Sequence, residues 1–290
     1  MLQLHQVTKT YRAGVQAVSD FSATLKPGVI GLVGHNGAGK TTLMQMIATL
    51  TKPSSGTIHF DGIDIVRQPN AIRARLGFLP QDFGVYDNIT AREFLSYFAA
   101  LKGVRDRKKI DELLRLVNLH EQADRVAATF SGGMRQRLGI AQALINDPDI
   151  IIVDEPTAGL DPGERLRFRN LLSEIGFHKL VIVSTHIVSD VESMASELAL
   201  MDQGRLVALQ APEAILATAR GKVWSGRIAQ SDFDEVRANF RILHAQRTQD
   251  GIDIRVAHAQ RPFADMQMAE PNLEEALMLF ANFTSTETVA

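Results

Sequence analysis

The chain has 290 residues, of which 45% are hydrophobic and 22% charged, so it can form one large domain or two unequal domains. Its net charge of −2 gives no indication of nucleic-acid binding, and the lack of cysteine excludes disulfides, thiolate metal sites and a cysteine nucleophile. The longest aliphatic runs have the length of a strand, far short of the ~20 apolar residues of a membrane span, so any membrane role is expected to require a partner chain.

The first elements predicted are strands. Alternating apolar and polar residues predict a half-exposed strand at residues 2–7, and a second strand is expected at 18–25. The apolar run at 28–33 predicts a buried strand, and a helical pattern follows at 42–48.

The segment between this strand and helix fits the phosphate-binding pattern G-x-x-x-x-G-K-[ST]. Glycines let backbone N–H groups turn towards phosphates, and the start of a helix adds partial positive charge. Lys40 is expected to reach the β- and γ-phosphates, and the Thr41 hydroxyl to ligate Mg²⁺. A chance glycine-rich turn is the alternative, but strand, loop and helix agree on a phosphate site. The predicted nucleotide-binding loop consists of Gly34, His35, Asn36, Gly37, Ala38, Gly39, Lys40, Thr41 and Thr42.

The middle of the chain alternates between strand and helix patterns. After strands at 57–60 and 76–80, helices are expected at 91–101, 107–117 and 132–144. Strands at 150–153 and 180–184 enclose a helix at 163–175, and a strand pair covers 198–209. Such βαβ alternation predicts an α/β fold with a mostly parallel sheet.

The composition changes after residue 221. Strands are predicted at 222–229, 242–248 and 252–256, with helices at 232–240 and 272–280 and a frayed tail at 284–290. We therefore predict a main domain at 1–220 and a small α+β appendage at 221–290.

Two further groups of residues are candidates for a metal-binding, catalytic or anion-binding site. Asp154 and Glu155 leave a buried strand, where Asp154 could hold Mg²⁺ through water and Glu155 could polarise an attacking water. Alone, such a pair is usually a helix-end charge or a solvated turn; beside a phosphate loop, the functional interpretation is favoured. Ser131, Gly132 and Gly133 precede a helix, where they are either an ordinary N-cap or an anion site.

Seven motifs, in order over about residues 2–215, resemble those of the ATP-binding cassette (ABC) family. The signature departs from the common Leu-Ser-Gly-Gly-Gln, with Phe130 in place of Leu and Met134 in place of Gln, but it keeps Ser131 and Gly133. The matching residues are the adenine-stacking Tyr11, the Walker A loop Gly34 to Thr42, the Q-loop Gln81, the signature Phe130 to Arg137, the Walker B residues Asp154, Glu155 and Pro156, the D-loop Ala158 to Pro162 with Asp161, and the H-loop His186.

The resemblance implies a P-loop NTPase cassette with an antiparallel β subdomain and a helical subdomain at about 87–147. It also implies ATP and Mg²⁺ as cofactors, with Thr41, Gln81 and Asp154 at the metal and Glu155 and His186 as catalytic residues. Two copies would pair head to tail, so that Ser131, Gly132 and Gly133 of one copy meet the ATP of the other.

The subfamily that the chain resembles most is the ATPase subunit of ABC-2-type transporters, often exporters. The resemblance implies an integral membrane permease as partner, a cytoplasmic location at the membrane and no direct contact with nucleic acid. Phe83, Val85 and Tyr86 follow Gln81, where they either pack beneath the helical region or anchor a helix of the permease. The alternatives are a soluble cassette ATPase acting on nucleic acid or the ribosome, and a regulatory module without turnover.

Overall fold

The computed structural model describes residues 1–12, 14–157 and 159–280, apart from the side chain of Arg107. Ala158 of the predicted D-loop and the tail predicted to fray at 284–290 lie outside the described residues. The contacts divide the chain into two units, Met1–Leu209 and Gln210–Ala290. The boundary predicted from composition, at residue 220, stays a prediction.

The first unit is a mixed α/β structure with two sheets, as the sequence predicts. Its strands are β1 (Leu2–Thr10), β2 (Gln16–Leu25), β3 (Gly28–Val33), β4 (Ser55–Phe60), β5 (Ile63–Asp64), β6 (Leu76–Leu79), β7 (Ile150–Asp154), β8 (Leu180–Thr185), β9 (Glu197–Asp202) and β10 (Arg205–Gln210). Its helices are α1 (Lys40–Ile47), α2 (Pro69–Arg73), α3 (Ala91–Leu101), α4 (Arg107–Leu116), α5 (Gly132–Ala143), α6 (Pro162–Gly176) and α7 (Val188–Glu192).

The larger sheet has six strands in the order β10-β9-β3-β8-β7-β6. The pairs β6–β7, β7–β8, β8–β3 and β3–β9 are all parallel. All five residues of β7 are buried, as expected for a strand covered on both faces. The parallel α/β core predicted from the βαβ alternation is thereby confirmed.

The register of this sheet aligns the carboxyl ends of its strands. Val33 of β3 pairs with Thr185 of β8, and Ser184 pairs with Asp154 of β7. On the other side of β7, Val153 pairs with Leu79 of β6. The segments that follow these four strands therefore start from one edge of the sheet.

The smaller sheet is antiparallel, in the order β2-β1-β4-β5. Leu2, Phe21 and Ile58 of this sheet belong to one apolar core with Leu43 of α1 and Ile150 of β7. Burial of these side chains holds the antiparallel sheet against the parallel sheet.

Helices α3, α4 and α5 form the helical region of the first unit, close to the ranges predicted from the sequence. Helix α3 starts with a capping box in which Thr90 and Glu93 satisfy each other's backbone N–H groups. The buried Arg137 of α5 donates to the carbonyl oxygens of Val117 and Asn118, which fixes α5 against the end of α4. No helix in the part of the chain that the structure describes is both long and apolar enough to cross a membrane.

The described residues of the second unit form an antiparallel sheet and three α-helices, as predicted for an α+β appendage. The strand order is β12-β13-β11-β14, and Trp224, Ile254 and Val256 lie in its core. Helix α8, which the sequence analysis did not predict, packs against α10. The elements are α8 (Pro212–Ala219), β11 (Val223–Ile228), α9 (Phe233–Asn239), β12 (Arg241–Thr248), β13 (Gly251–Ala257), β14 (Gln267–Met268) and α10 (Leu273–Phe280).

A buried ion pair anchors α10 to the sheet of this unit. Glu275 is 3% exposed and accepts two hydrogen bonds from the Arg255 guanidinium, one of them from Nη2 at 2.9 Å. It also accepts from the Asn272 N–H at 3.0 Å. Burial alone would raise the pKa of Glu275, but the Arg255 and Asn272 hydrogen bonds and the Arg255 charge lower it below its ordinary value.

We predict that Glu275→Gln destabilises the second unit by about 3 kcal/mol, because it leaves the Arg255 guanidinium without its counter-charge. The lowered pKa of Glu275 means that its stabilisation is present above the unfolded pKa of about 4.3 and is lost as pH falls through the folded pKa. Urea unfolding followed by Trp224 fluorescence between pH 3 and 7 measures both effects. The control is Glu274→Gln on the exposed face of α10, and equal unfolding midpoints for the two variants would contradict the prediction.

Candidate functional site

The phosphate-binding pattern lies between β3 and α1, where the sequence analysis placed it. Helix α1 begins at Lys40, and its N-cap Gly39 provides no side chain to cap the first backbone N–H groups. These donors, together with the helix dipole, favour an anion at this position.

Two glycines of the loop are required by close contacts. Gly39 has a φ of +97°, and a Cβ atom there would lie 2.2 Å from the carbonyl oxygen of Ala17. A Cβ on Gly34 would lie 2.4 Å from the carbonyl oxygen of Met201. Neither position can accept a side chain without displacing backbone, so the tight path of the loop depends on these residues.

Lys40 lies beneath the loop with 7% of its surface exposed. Its Nζ donates to the carbonyl oxygens of Gly34 at 2.7 Å and His35 at 3.1 Å. Burial lowers the pKa of the Lys40 ammonium, while the carboxylates of Glu155 and Asp154 oppose that shift. A cation removed from water in this way is suited to bind the clustered charge of a polyphosphate.

Glu155 follows β7 in a left-handed conformation, with a φ of +47°, and is 9% exposed. Its Oε2 lies 2.8 Å from Nδ1 of His186, the residue that follows β8. Such a backbone conformation is unfavourable for a non-glycine residue and is held by its surroundings, here by hydrogen bonds from the Glu155 N–H to both oxygens of Ser184. The structure therefore brings the two predicted catalytic side chains into direct contact.

A cavity of about 390 Å³ collects most of the predicted nucleotide-site residues. Glu155 and His186 line it together with residues of the phosphate loop, and Gln81, which follows β6, lines it as well. The loop residues that contribute to the lining are Asn36, Gly37, Gly39, Lys40, Thr41 and Thr42.

The remaining loop residues and Tyr11 have supporting contacts. The Tyr11 hydroxyl lies 3.4 Å from Oγ1 of Thr42, which places this 42%-exposed ring beside the loop. The ring nitrogens of His35 lie 2.7 Å from the Asn36 carbonyl oxygen and 2.9 Å from Oδ1 of Asp202. Ala38 is fully buried. His35 and Ala38 thus shape the loop, while Tyr11 offers a flat surface next to it.

Asp154 fits the role of a magnesium ligand by its chemistry and position. It is 4% exposed at the end of β7, and its Oδ1 accepts a hydrogen bond from the Ser184 hydroxyl. The Thr41 hydroxyl, the Gln81 amide and the Asp154 carboxylate supply the hard oxygen donors that Mg²⁺ prefers.

The signature residues and Asp161 do not line this cavity. Ser131 is exposed and caps α5 by accepting from the Met134 N–H at 3.3 Å, as the simpler interpretation of the sequence requires. Gly132 is also exposed, whereas Gly133 is buried against the side chain of Glu164. Asp161 caps α6 in the same way by accepting from the Glu164 N–H.

Two residues of the site were missed in the sequence analysis. Ser184 is fully buried and connects Asp154 to Glu155 through its hydroxyl, and Ala17 of β2 forms part of the cavity wall. The position of Ser184, two residues before His186 at the end of a predicted strand, was a usable signal. Ala17 carries no chemical signal, and only the folded chain brings it to the loop.

Comparison with known proteins identifies the family of the chain. The family model described as "ABC transporter" matches residues 18–158. The ABC transporter ATP-binding protein NatA of Bacillus subtilis is 38% identical over 72% of this chain and 87% of its own length. The Nod factor export ATP-binding protein I of Cupriavidus metallidurans is 38% identical over 76% of this chain and 74% of its own.

A solved structure gives the same result at the level of the fold. It is the dimeric, post-hydrolysis state of the ATP-binding cassette MJ0796 bound to ADP and Pi. The TM-score is 0.66 and the identity 28%, over 73% of this chain and 98% of that chain.

We predict that Lys40→Ala raises the dissociation constant for ATP at least about 100-fold. The variant loses the hydrogen bonds from the ammonium to the β- and γ-phosphates, and two such charge-assisted bonds are together worth about 3 kcal/mol. Isothermal titration calorimetry of the full-length chain measures this constant. Lys26→Ala, a change of the same type at an exposed turn, is the control and is expected to bind ATP normally. An unchanged dissociation constant in Lys40→Ala would refute the role of Lys40 in phosphate binding.

Proposed function

Since the chain belongs to the family of ABC transporter ATP-binding proteins, we propose that it is the ATP-hydrolysing motor subunit of an ABC-2-type exporter. It would power the movement of a substrate through a separate membrane permease. The relatives named above include an export protein, which favours export as the direction of transport. A soluble ATPase acting on nucleic acid or the ribosome is not favoured, because both relatives carry the names of transport proteins.

The contact between Glu155 and His186, in the same cavity as Lys40, is the observation that carries the proposal. A chain that only bound nucleotide would need the phosphate loop alone. Here a carboxylate and an imidazole lie 2.8 Å apart in the cavity that this loop also lines. On this proposal, both groups act from there on the terminal phosphate of a bound nucleotide.

Each residue then has a definite task in hydrolysis. Glu155 orients a water molecule and accepts its proton, as a carboxylate next to the phosphate can do. His186 is held by Glu155 and contacts the γ-phosphate. Lys40 and the N–H groups of the loop stabilise the charge that accumulates on the phosphate oxygens. Thr41, Gln81 and Asp154 would hold Mg²⁺, which, when bound, neutralises phosphate charge.

The exposed signature fits a second copy of the chain as the partner. Ser131 and Gly132 lie at the start of α5 and are exposed, so their N–H and hydroxyl groups are accessible to a phosphate carried by another molecule. A two-fold, head-to-tail dimer places the signature of each copy over the nucleotide of the other and creates two equivalent sites. Asp161 lies at the start of α6, and we assign it to the D-loop of that interface.

The loop after Gln81 offers a surface for the permease. Phe83 is half-buried, and its ring lies against Gly139 of α5 and edge-on to Phe94, so it packs beneath the helical region. Tyr86, in contrast, is 54% exposed and stacks edge-on with Tyr97, which is 47% exposed. An exposed aromatic pair of this kind is a suitable anchor for a short permease helix. On this proposal the chain works at the cytoplasmic face of the membrane, held there by the permease.

The proposed catalytic role is tested with Glu155→Gln, which keeps the size of the side chain and removes the carboxylate. We expect hydrolysis to fall at least about 100-fold, the lower limit for a lost general base, while ATP still binds. The variant is also expected to form a stable dimer with ATP and Mg²⁺ on size-exclusion chromatography. Glu174→Gln, on the exposed side of α6, serves as the control. Near-normal turnover in Glu155→Gln would remove Glu155 from catalysis.

The proposed docking role is tested with Tyr86→Ala. We expect the isolated chain to keep its ATPase activity, because Tyr86 does not line the nucleotide cavity. Co-purification with the co-expressed permease and transport are both expected to fall at least tenfold. Leu116→Ala, which shortens another exposed apolar side chain of the helical region, is the control. Intact assembly and transport, or loss of folding in Tyr86→Ala, would contradict the docking role.

A further inference from the structure

A buried carboxylate with no role in the chemistry described above lies four residues after His186 in the chain. Asp190 belongs to α7, the short helix that begins two residues after His186, and its exposed fraction is 0%. A carboxylate in such a place is costly unless it is compensated, so its partners indicate what it does.

The shortest contact of Asp190 reaches the segment that carries Glu155. The Thr157 hydroxyl donates to Oδ2 of Asp190 at 2.5 Å, and Thr157 is itself only 1% exposed. Thr157 follows Glu155 by two residues, and Asp190 follows His186 by four. One hydrogen bond therefore connects the turn after β7 to the turn after β8.

The second oxygen of Asp190 faces two arginines of α6. Nη1 of Arg169 lies 3.6 Å from Oδ1, and Nε of Arg165 lies 4.0 Å from it. Arg169 also donates to the Ser189 carbonyl oxygen at 3.1 Å, so α6 is bound to α7 by both backbone and charge. From α7, the Asp190 carboxylate therefore contacts both the turn after β7, through Thr157, and helix α6, through Arg165 and Arg169.

The arrangement is poor for stability alone. Within the described part of the chain, Oδ1 of Asp190 and the Nε atoms of Arg165 and Arg169 are buried without hydrogen-bond partners. Apolar side chains of similar volume in place of Asp190 and both arginines together would avoid this desolvation cost. The Asp190 charge is therefore better explained by the backbone geometry that its contacts hold in place. That geometry includes the nearby Glu155, whose φ of +47° needs support from its surroundings.

We propose that Asp190 is a positioning residue for ATP hydrolysis. It fixes the turn of Glu155 to Thr157 against the turn of His186 to Asp190, and so sets the separation of the Glu155 carboxylate and the His186 ring. Through Arg165 and Arg169 it also makes that separation depend on the position of α6. The inference rests on the proposed roles of Glu155 and His186.

The test compares Thr157→Val, Thr157→Ser, Asp190→Ala and the double variant Thr157→Val/Asp190→Ala in the full-length chain. Misplacement of a catalytic group by about 1 Å can cost 100-fold in rate, so we expect kcat for ATP to fall roughly 30- to 100-fold in Thr157→Val and Asp190→Ala. KM is expected to change less than threefold, because Lys40 and the loop are untouched. Thr157→Ser keeps the hydroxyl and is expected to retain at least half of the wild-type kcat.

The double variant separates positioning from general destabilisation. If both residues act through their shared hydrogen bond, the double variant has the kcat of the worse single variant, not the product of the two losses. Glu192→Gln, on the exposed side of α7, is the matched control. Urea midpoints of all variants identify any that are unfolded under assay conditions, and if Asp190→Ala is among them, the Thr157→Val and Thr157→Ser pair decides.

Three outcomes would overturn the inference. They are an unchanged kcat in Thr157→Val, an equal loss in Thr157→Ser, and parallel changes in kcat and KM. These results are distinct from failure of the proposed function, which would appear as normal hydrolysis in Glu155→Gln. If the wild-type chain hydrolyses ATP, Glu155→Gln loses activity and Thr157→Val keeps the wild-type kcat, only the role of Asp190 is refuted.

Discussion

The in-register parallel pairing of β3, β8 and β7 is the constraint on which the site depends. The carboxyl ends of parallel strands lie at the same edge of a sheet, so the segments that follow the strands are brought close together. Here the segment after β3 is the phosphate loop, and those after β7 and β8 carry Glu155 and His186. A slip of one residue between β7 and β8 would turn Asp154 away from Ser184, and the hydrogen bonds to Glu155 would be lost with it.

Much of this could be predicted from the sequence because the signals are local. The apolar run of β7 and the glycines of the loop each report on a few neighbouring residues, and the structure confirms the elements that they predicted. The order of the motifs then identified the family. The parts that could not be predicted are contacts between distant segments, such as Thr157 with Asp190. Asp190 has the appearance of an ordinary surface carboxylate in the sequence, since nothing local indicates that it is buried.

In the second unit, too, local patterns were predictable from the sequence and contacts between distant segments were not. Strands β11, β12 and β13 were predicted, and β13 shows the strong local signal of period-two hydrophobicity, whereas the two-residue β14 was missed. Helix α8 was missed because it has only eight residues and moderate amphipathicity. Its apolar face is explained by its packing on α10. Glu275 likewise has the sequence context of a solvated helix start, and only its contact with Arg255 makes it part of the interior.

The left-handed backbone of Glu155 has a consequence for the evolution of such a chain. A glycine at this position would relieve the backbone of its unfavourable φ, yet it would remove the carboxylate. On the proposed role of Glu155, backbone strain and turnover are therefore opposed at this position. Selection for hydrolysis then opposes the replacement of Glu155 by glycine, although its backbone conformation favours that replacement.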